Sequence, residues 1–97
     1  MLVLPATVTL AGARDALAML LQALPREPAG RALVDASGLQ RFDSSVLSVL
    51  LECRRSAQAS GRAFAVRGVA PRLLQLAKLN GVDALIESEP PAQPASA

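Results

Sequence analysis

Few side chains in this sequence have the chemistry of a catalytic or metal site. Its 97 residues include no histidine and one cysteine, which excludes histidine-based catalytic pairs and zinc sites of the usual spacing. Asp35 and Asp43 could pair for acid–base work, but loop polarity and helix capping explain both. Cys53 falls among apolar residues of a predicted helix, where a buried thiol is more common than a nucleophile. We therefore expect a binding or regulatory domain rather than an enzyme, with no cofactor and no metal.

Composition also argues against several classes of ligand. The six glycines are scattered, so neither a phosphate-binding loop nor a dinucleotide fingerprint can be placed. Nucleic-acid modules concentrate basic residues on one face and stack bases on aromatic rings. Here ten basic residues are dispersed, the formal net charge is +2, and Phe42 and Phe64 are the only aromatic residues, so no nucleic-acid partner is predicted.

The apolar segments are too short to cross a membrane. No apolar run approaches the roughly 20 residues that span a bilayer. The first ten residues lack the basic region of a secretory signal, and Pro5 interrupts them. We expect a cytoplasmic protein without direct membrane insertion, a location that also suits a single unpaired cysteine.

Two adjacent hydroxyls, Ser44 and Ser45, follow Asp43 at the predicted start of a helix. A carboxylate or hydroxyl in this position can cap the free backbone N–H groups, and Asp43 and Ser44 are both suitable N-caps. A phosphate added here would also be stabilised by the helix dipole. The spacing leaves open which residue caps the helix, and whether Ser44 is a cap or a site of modification.

The elements that must position these residues alternate between strands and helices. Apolar spacing, helix breakers and turn residues together define their approximate limits. Such alternation predicts an α/β fold with a mostly parallel sheet and right-handed crossovers. The expected order is a strand in one or both of 1–4 and 7–10, a helix over 11–24 stopped by Pro25, a strand over 31–35, a loop over 36–42, a helix from 43–45 to about 60, a strand over 62–67, a helix from 71 to 79, and a possible short element over 82–86.

The second helix carries two different stripes of residues. One is apolar at helical spacing and is expected to face the core; its members are Val46, Val49, Leu50, Cys53 and Ala57. The other mixes two hydroxyls with a leucine and an arginine; its members are Ser44, Ser48, Leu51 and Arg55. From spacing alone, a solvated face with one exposed leucine explains the second stripe, since such faces are common.

The residues around this helix resemble the signature of STAS domains. The stretch 34–47 (Val-Asp-Ala-Ser-Gly-Leu-Gln-Arg-Phe-Asp-Ser-Ser-Val-Leu) is similar to the family's strand, loop and Asp-Ser/Thr motif that opens a helix. The stretches 63–69 and 72–82 resemble the next strand and helix. The Leu-Ala-Lys-Leu run at 76–79 is most similar to the MlaB-like branch, the STAS subunits of Mla phospholipid ABC transporters. The resemblance implies a small STAS-like (SpoIIAA-like) α/β fold over residues 1–88, followed by a flexible tail over 89–97.

The resemblance also implies a function. MlaB-like domains are non-enzymatic accessory subunits that bind the ATPase subunit (MlaF-like) at the cytoplasmic face of the inner membrane and support a transporter that maintains outer-membrane lipid asymmetry. The helix opened by the motif makes that contact. Carried over to this sequence, the protein-binding residues are Asp43, Ser44, Ser45, Leu47, Ser48, Leu51 and Arg55.

A second function is consistent with the same resemblance. The domain would be an anti-sigma-factor antagonist controlled by phosphorylation of Ser44, the motif hydroxyl. This function ranks second because Val46 stands where the family motif has glycine, and a β-branched residue crowds the start of the helix.

Overall fold

Parallel strands and helices alternate along the chain, as the apolar spacing predicts. The computed structural model describes residues 1–28 and 30–86. The strands are β1 (Leu2–Val3), β2 (Thr7–Val8), β3 (Arg31–Asp35), β4 (Arg41–Phe42) and β5 (Ala63–Arg67). The helices are α1 (Ala13–Ala23), α2 (Ser45–Ala59) and α3 (Pro71–Leu79), with 3₁₀ turns at Leu24–Arg26 and Asp83–Leu85.

The strands form two parallel groups. β3 lies in the centre of a three-stranded sheet, with β1 on one side and β5 on the other. β2 pairs with β4 in a separate two-stranded ladder. Because every pair among the described residues is parallel, the carboxyl ends of the strands lie at the same edge within each group. The predicted α/β class with a mostly parallel sheet is confirmed.

The short ladder between β2 and β4 corrects one prediction. Residues 36–42 were expected to form a loop, but Arg41 and Phe42 pair with Thr7 and Val8. Two residues are too few for an alternating pattern to be recognised, so only the partner strand reveals β4.

The core lies on one face of the main sheet. In β3, Ala32 and Val34 are buried, whereas Leu33 between them is only half-buried. The same alternation occurs in β5, where Phe64 and Val66 face the core. α1 packs against α2 and β1, and α2 packs against β5. Within the described residues, one face of this sheet is thus fully buried and the other is partly exposed.

The helix ends agree with the sequence to within a few residues. α2 ends before Gly61, whose φ of +78° is the left-handed conformation that suits glycine after a helix. Pro71 opens α3, as predicted. Pro25 was expected to stop the first helix directly; instead α1 ends at Ala23 and Pro25 lies inside a 3₁₀ turn, where its missing N–H costs nothing.

Two further expectations concern membrane crossing and the tail. Across the ranges 1–28 and 30–86, the structure contains no helix with the length and apolarity needed to cross a bilayer. The tail expected over 89–97 lies outside the described residues.

Candidate protein-binding face at the start of α2

Asp43 organises the first turn of α2. Its Oδ1 atom accepts a hydrogen bond of 2.9 Å from the Ser45 amide and a short one from the Ser45 hydroxyl. Its Oδ2 atom accepts a hydrogen bond of 3.0 Å from the amide of Leu10, in the turn after β2. Asp43 therefore supplies the capping side chain that the sequence could not distinguish from Ser44, and it also connects α2 to the amino-terminal part of the chain.

These contacts determine the charge state of Asp43. The Ser45 hydroxyl contributes most to lowering the pKa of the Asp43 carboxyl below its usual range, followed by the amides of Leu10 and Ser45. Hydrogen bonds from neutral donors favour the ionised form because they stabilise its negative charge. At neutral pH the start of α2 thus carries a carboxylate that is already fully engaged within the domain.

Ser44 has a different environment from its two neighbours. It lies immediately before α2 with helical backbone angles, and its side chain makes no capping hydrogen bond. Its carbonyl accepts a hydrogen bond of 3.0 Å from the Leu47 amide, and its side chain is exposed. The Ser44 hydroxyl is therefore accessible at a helix N-terminus, while Asp43 takes the capping role.

The stripe of hydroxyls on α2 lies on the outer side of the helix. Ser44 and Ser48 are exposed, and Leu51 is half-buried. Arg55 is exposed and its guanidinium lies 3.1 Å from the Glu52 carboxylate, one turn earlier on α2. We call Ser44, Ser48, Leu51 and Arg55 the α2 face. It is a continuous surface of small polar side chains with one leucine and a cationic rim.

Two other predicted site residues occupy different positions. Ser45 is half-buried and its hydroxyl bonds to Asp43, so it supports the helix start rather than presenting a free side chain. Leu47 was predicted to contact a partner, but its side chain is 5% exposed and belongs to the core. This prediction was wrong because Leu47 lies one position from Val46 on the buried side of α2, a wider apolar side than the predicted stripe.

Leu10 is a surface residue beside this site that no sequence pattern selects. It is 80% exposed, although its amide is held by Asp43. The residues are 33 positions apart, so no local spacing could have placed Leu10 beside the start of α2. The only signal in the sequence was a leucine just before a turn.

The other candidate residues are used by the fold itself. Asp35 accepts a hydrogen bond of 2.9 Å from the Ser37 amide, and hydrogen bonds from Ser37 are the main reason that the pKa of its carboxyl is lowered. Cys53 is fully buried, and burial raises the pKa of its thiol to about 11. Asp35 and Asp43 therefore each accept hydrogen bonds from the turn that follows them, at Ser37 and at Ser45. The Cys53 thiol stays protonated at neutral pH.

An apolar depression lies away from the α2 face. It has a volume of about 250 Å³ and includes Arg31 at the amino end of β3; its lining residues are Met1, Glu27, Pro28, Arg31 and Leu33. Within residues 1–28 and 30–86, no three potential metal-ligating side chains of histidine, cysteine, aspartate or glutamate cluster together.

The fold and the helix-opening Asp-Ser motif define this chain as a STAS domain. It belongs to the STAS_2 family, described as "Mlab, STAS domain", whose model matches residues 1–87. Its structure is similar to that of an anti-sigma-factor antagonist (STAS) domain protein from Planctomyces limnophilus, with a TM-score of 0.73 and 18% sequence identity. That alignment covers 89% of this chain and 77% of the other. None of the curated proteins matches this chain. The resemblance to STAS domains and their MlaB-like branch is confirmed.

Proposed function

We propose that this protein is a non-enzymatic accessory subunit of an Mla-type phospholipid ABC transporter. It binds the ATPase subunit (MlaF-like) at the cytoplasmic face of the inner membrane and supports the assembly and activity of the complex, which maintains outer-membrane lipid asymmetry. The observation that carries this proposal is the match of residues 1–87 to a family whose description contains the name Mlab.

The α2 face is the surface that we assign to the ATPase contact. Ser44 and Ser48 have short side chains, so a partner backbone can approach α2 closely. Leu51 offers apolar area that is half-exposed in the free domain and can be buried in a complex. The opposite side of α2 is packed into the core, which holds the face rigid before binding and lowers the entropic cost of association.

Co-expression with the ATPase subunit encoded nearby tests this assignment. Ser44→Glu adds a charge at the amino-terminal end of the α2 face, and Leu51→Asp removes its apolar area; each variant should abolish co-purification. Matched changes near the end of α1 serve as controls: Gln22→Glu adds a charge to an exposed position and Leu21→Asp alters a half-buried leucine. Circular dichroism should show that all four variants stay folded. Retention of the ATPase by both α2 variants would show that this face is not the contact.

A second candidate is an anti-sigma-factor antagonist regulated by phosphorylation of Ser44. The observation that favours it is the exposed Ser44 hydroxyl, which makes no capping bond at the N-terminus of α2. Phosphate in this position would interact favourably with the helix dipole. Incubation with a cognate anti-sigma kinase and ATP should then add the mass of one phosphate to the unaltered chain and to Ser45→Ala, but not to Ser44→Ala. No mass gain at Ser44 would reject this function.

A further inference from the structure

Leu10 is an exposed apolar residue whose amide is bonded to Asp43, the residue directly before Ser44 of the α2 face. It begins the turn between β2 and α1, and at 80% exposure only Leu79 matches it among the large apolar residues of the described chain. We propose that Leu10 is the apolar anchor of the partner contact and inserts into an apolar pocket on the protein that binds the α2 face. This inference rests on the proposed function, since it assigns a residue outside α2 to the same contact.

The turn that carries Leu10 has a defined position relative to Ser44. Asp43 uses one carboxylate oxygen for the start of α2 and the other for the Leu10 amide, at 3.0 Å. The turn itself is closed by a 3.0 Å hydrogen bond from the Gly12 amide to the Thr9 carbonyl. The backbone of Leu10 is therefore ordered before any partner arrives. Pre-ordering reduces the entropy lost on binding, a property typical of residues that dominate an interface.

Charges near this turn indicate the chemistry of the pocket rim. Arg72 is an exposed residue of α3, and its guanidinium lies 5.5 Å from the centre of the Phe42 ring. Phe42 directly precedes Asp43 in the sequence. Arg41, two residues before Asp43, is also exposed. Asp43 stays ionised beside them, and its two oxygens accept three hydrogen bonds from within the domain. A partner pocket for Leu10 should therefore be apolar at its base and carry carboxylates only where its rim faces Arg41 and Arg72.

Calorimetric titration of the purified ATPase subunit tests the role of Leu10. Leu10→Ser should weaken binding at least about tenfold, the range expected for a buried leucine anchor. Leu79→Ser is the matched control, because Leu79 has the same 80% exposure and lies at the opposite end of α3 from Arg72. The affinity of Leu79→Ser for the ATPase subunit should equal that of the unaltered chain. Equal affinity of Leu10→Ser and the unaltered chain would overturn this inference while the proposed function stands. Failure of the unaltered chain to bind the ATPase subunit would overturn both the role of Leu10 and the proposed function.

A second variant tests the ordered backbone of the turn while the Leu10 side chain is kept. Asp43→Asn retains one carbonyl oxygen, enough to cap α2 but not to accept from Leu10 as well. The Leu10 amide should then exchange its hydrogen faster, and affinity for the ATPase should fall although Leu10 is present. Faster exchange with unchanged affinity would show that the ordered turn does not contribute to the contact.

Discussion

Gly68 lies in such close contact with Ser37 that no side chain can be added to it. A β-carbon on Gly68 would be 2.7 Å from Cβ of Ser37 and 2.9 Å from its backbone nitrogen. The contact joins the segments that follow β3 and β5, at the carboxyl edge of the sheet. A 2.9 Å hydrogen bond from the Ala36 amide to the Arg67 carbonyl continues the ladder to the same point. The carboxyl edge of the main sheet is therefore closely packed between the segments that follow β3 and β5.

Gly68→Ala should destabilise the domain by about 2 kcal/mol or more, because the left-handed φ of +69° is unfavourable for alanine and the new methyl group overlaps Ser37. Gly61→Ala is the control, since its φ is +78° with no atom near the added carbon. It should cost only about 1 kcal/mol. Urea unfolding of both variants measures the difference. Equal losses would mean that the contact with Ser37 relaxes freely.

Ser44→Ala should leave stability unchanged within about 0.5 kcal/mol, since the Ser44 side chain makes no capping hydrogen bond. Asp43→Ala should lower the melting temperature clearly, because it removes all three hydrogen bonds that its carboxylate accepts. Thermal unfolding at neutral pH compares the two variants. A larger drop in melting temperature for Ser44→Ala than for Asp43→Ala would show that Ser44, and not Asp43, caps α2.

Stability should fall as the pH drops below about 4, the usual range of an aspartate pKa. The pKa values of Asp35 and Asp43 are lowered in the folded state, chiefly by hydrogen bonds from Ser37 and Ser45. The unfolded chain then binds protons at a higher pH than the folded one, so acid favours unfolding. The stabilisation that these two carboxylates contribute is complete above their pKa in the unfolded chain. It is lost as the pH falls through their lower pKa values in the folded state. Denaturant midpoints measured across this pH range should decline less steeply in Asp43→Asn than in the unaltered chain. An equally steep decline in both would contradict a lowered pKa for Asp43.

Cys53 should react slowly with thiol reagents in the folded domain. Burial raises the pKa of its thiol to about 11, so at about pH 8 it holds on the order of a hundredfold less thiolate than a free cysteine does. Its complete burial blocks access as well. Absorbance with a disulfide reagent should show little reaction until denaturant is added. Rapid labelling of the native protein would mean that α2 opens readily or that the thiol is exposed.

Spacing along the chain was enough to locate most of the helices and strands. The predicted limits of β3, 31–35, agree with the structure because a short apolar run follows a clear turn. The five residues of the apolar stripe on α2 are all buried, since helical periodicity alone selects the side that meets the sheet. The STAS signature around Asp43 and Ser44 was also legible in the sequence, because its residues are contiguous.

The tertiary structure decided how the start of α2 is built. Asp43 and Ser44 are both good caps, and only the folded chain shows that Asp43 caps while Ser44 stays accessible. β4 exists because β2 lies beside it, and Leu10 lies next to the start of α2 because its amide reaches Asp43 across 33 residues. Periodicity and capping preferences act within a few residues, whereas a surface assembled from separate segments depends on long-range hydrogen bonds and packing that only the closed fold brings together.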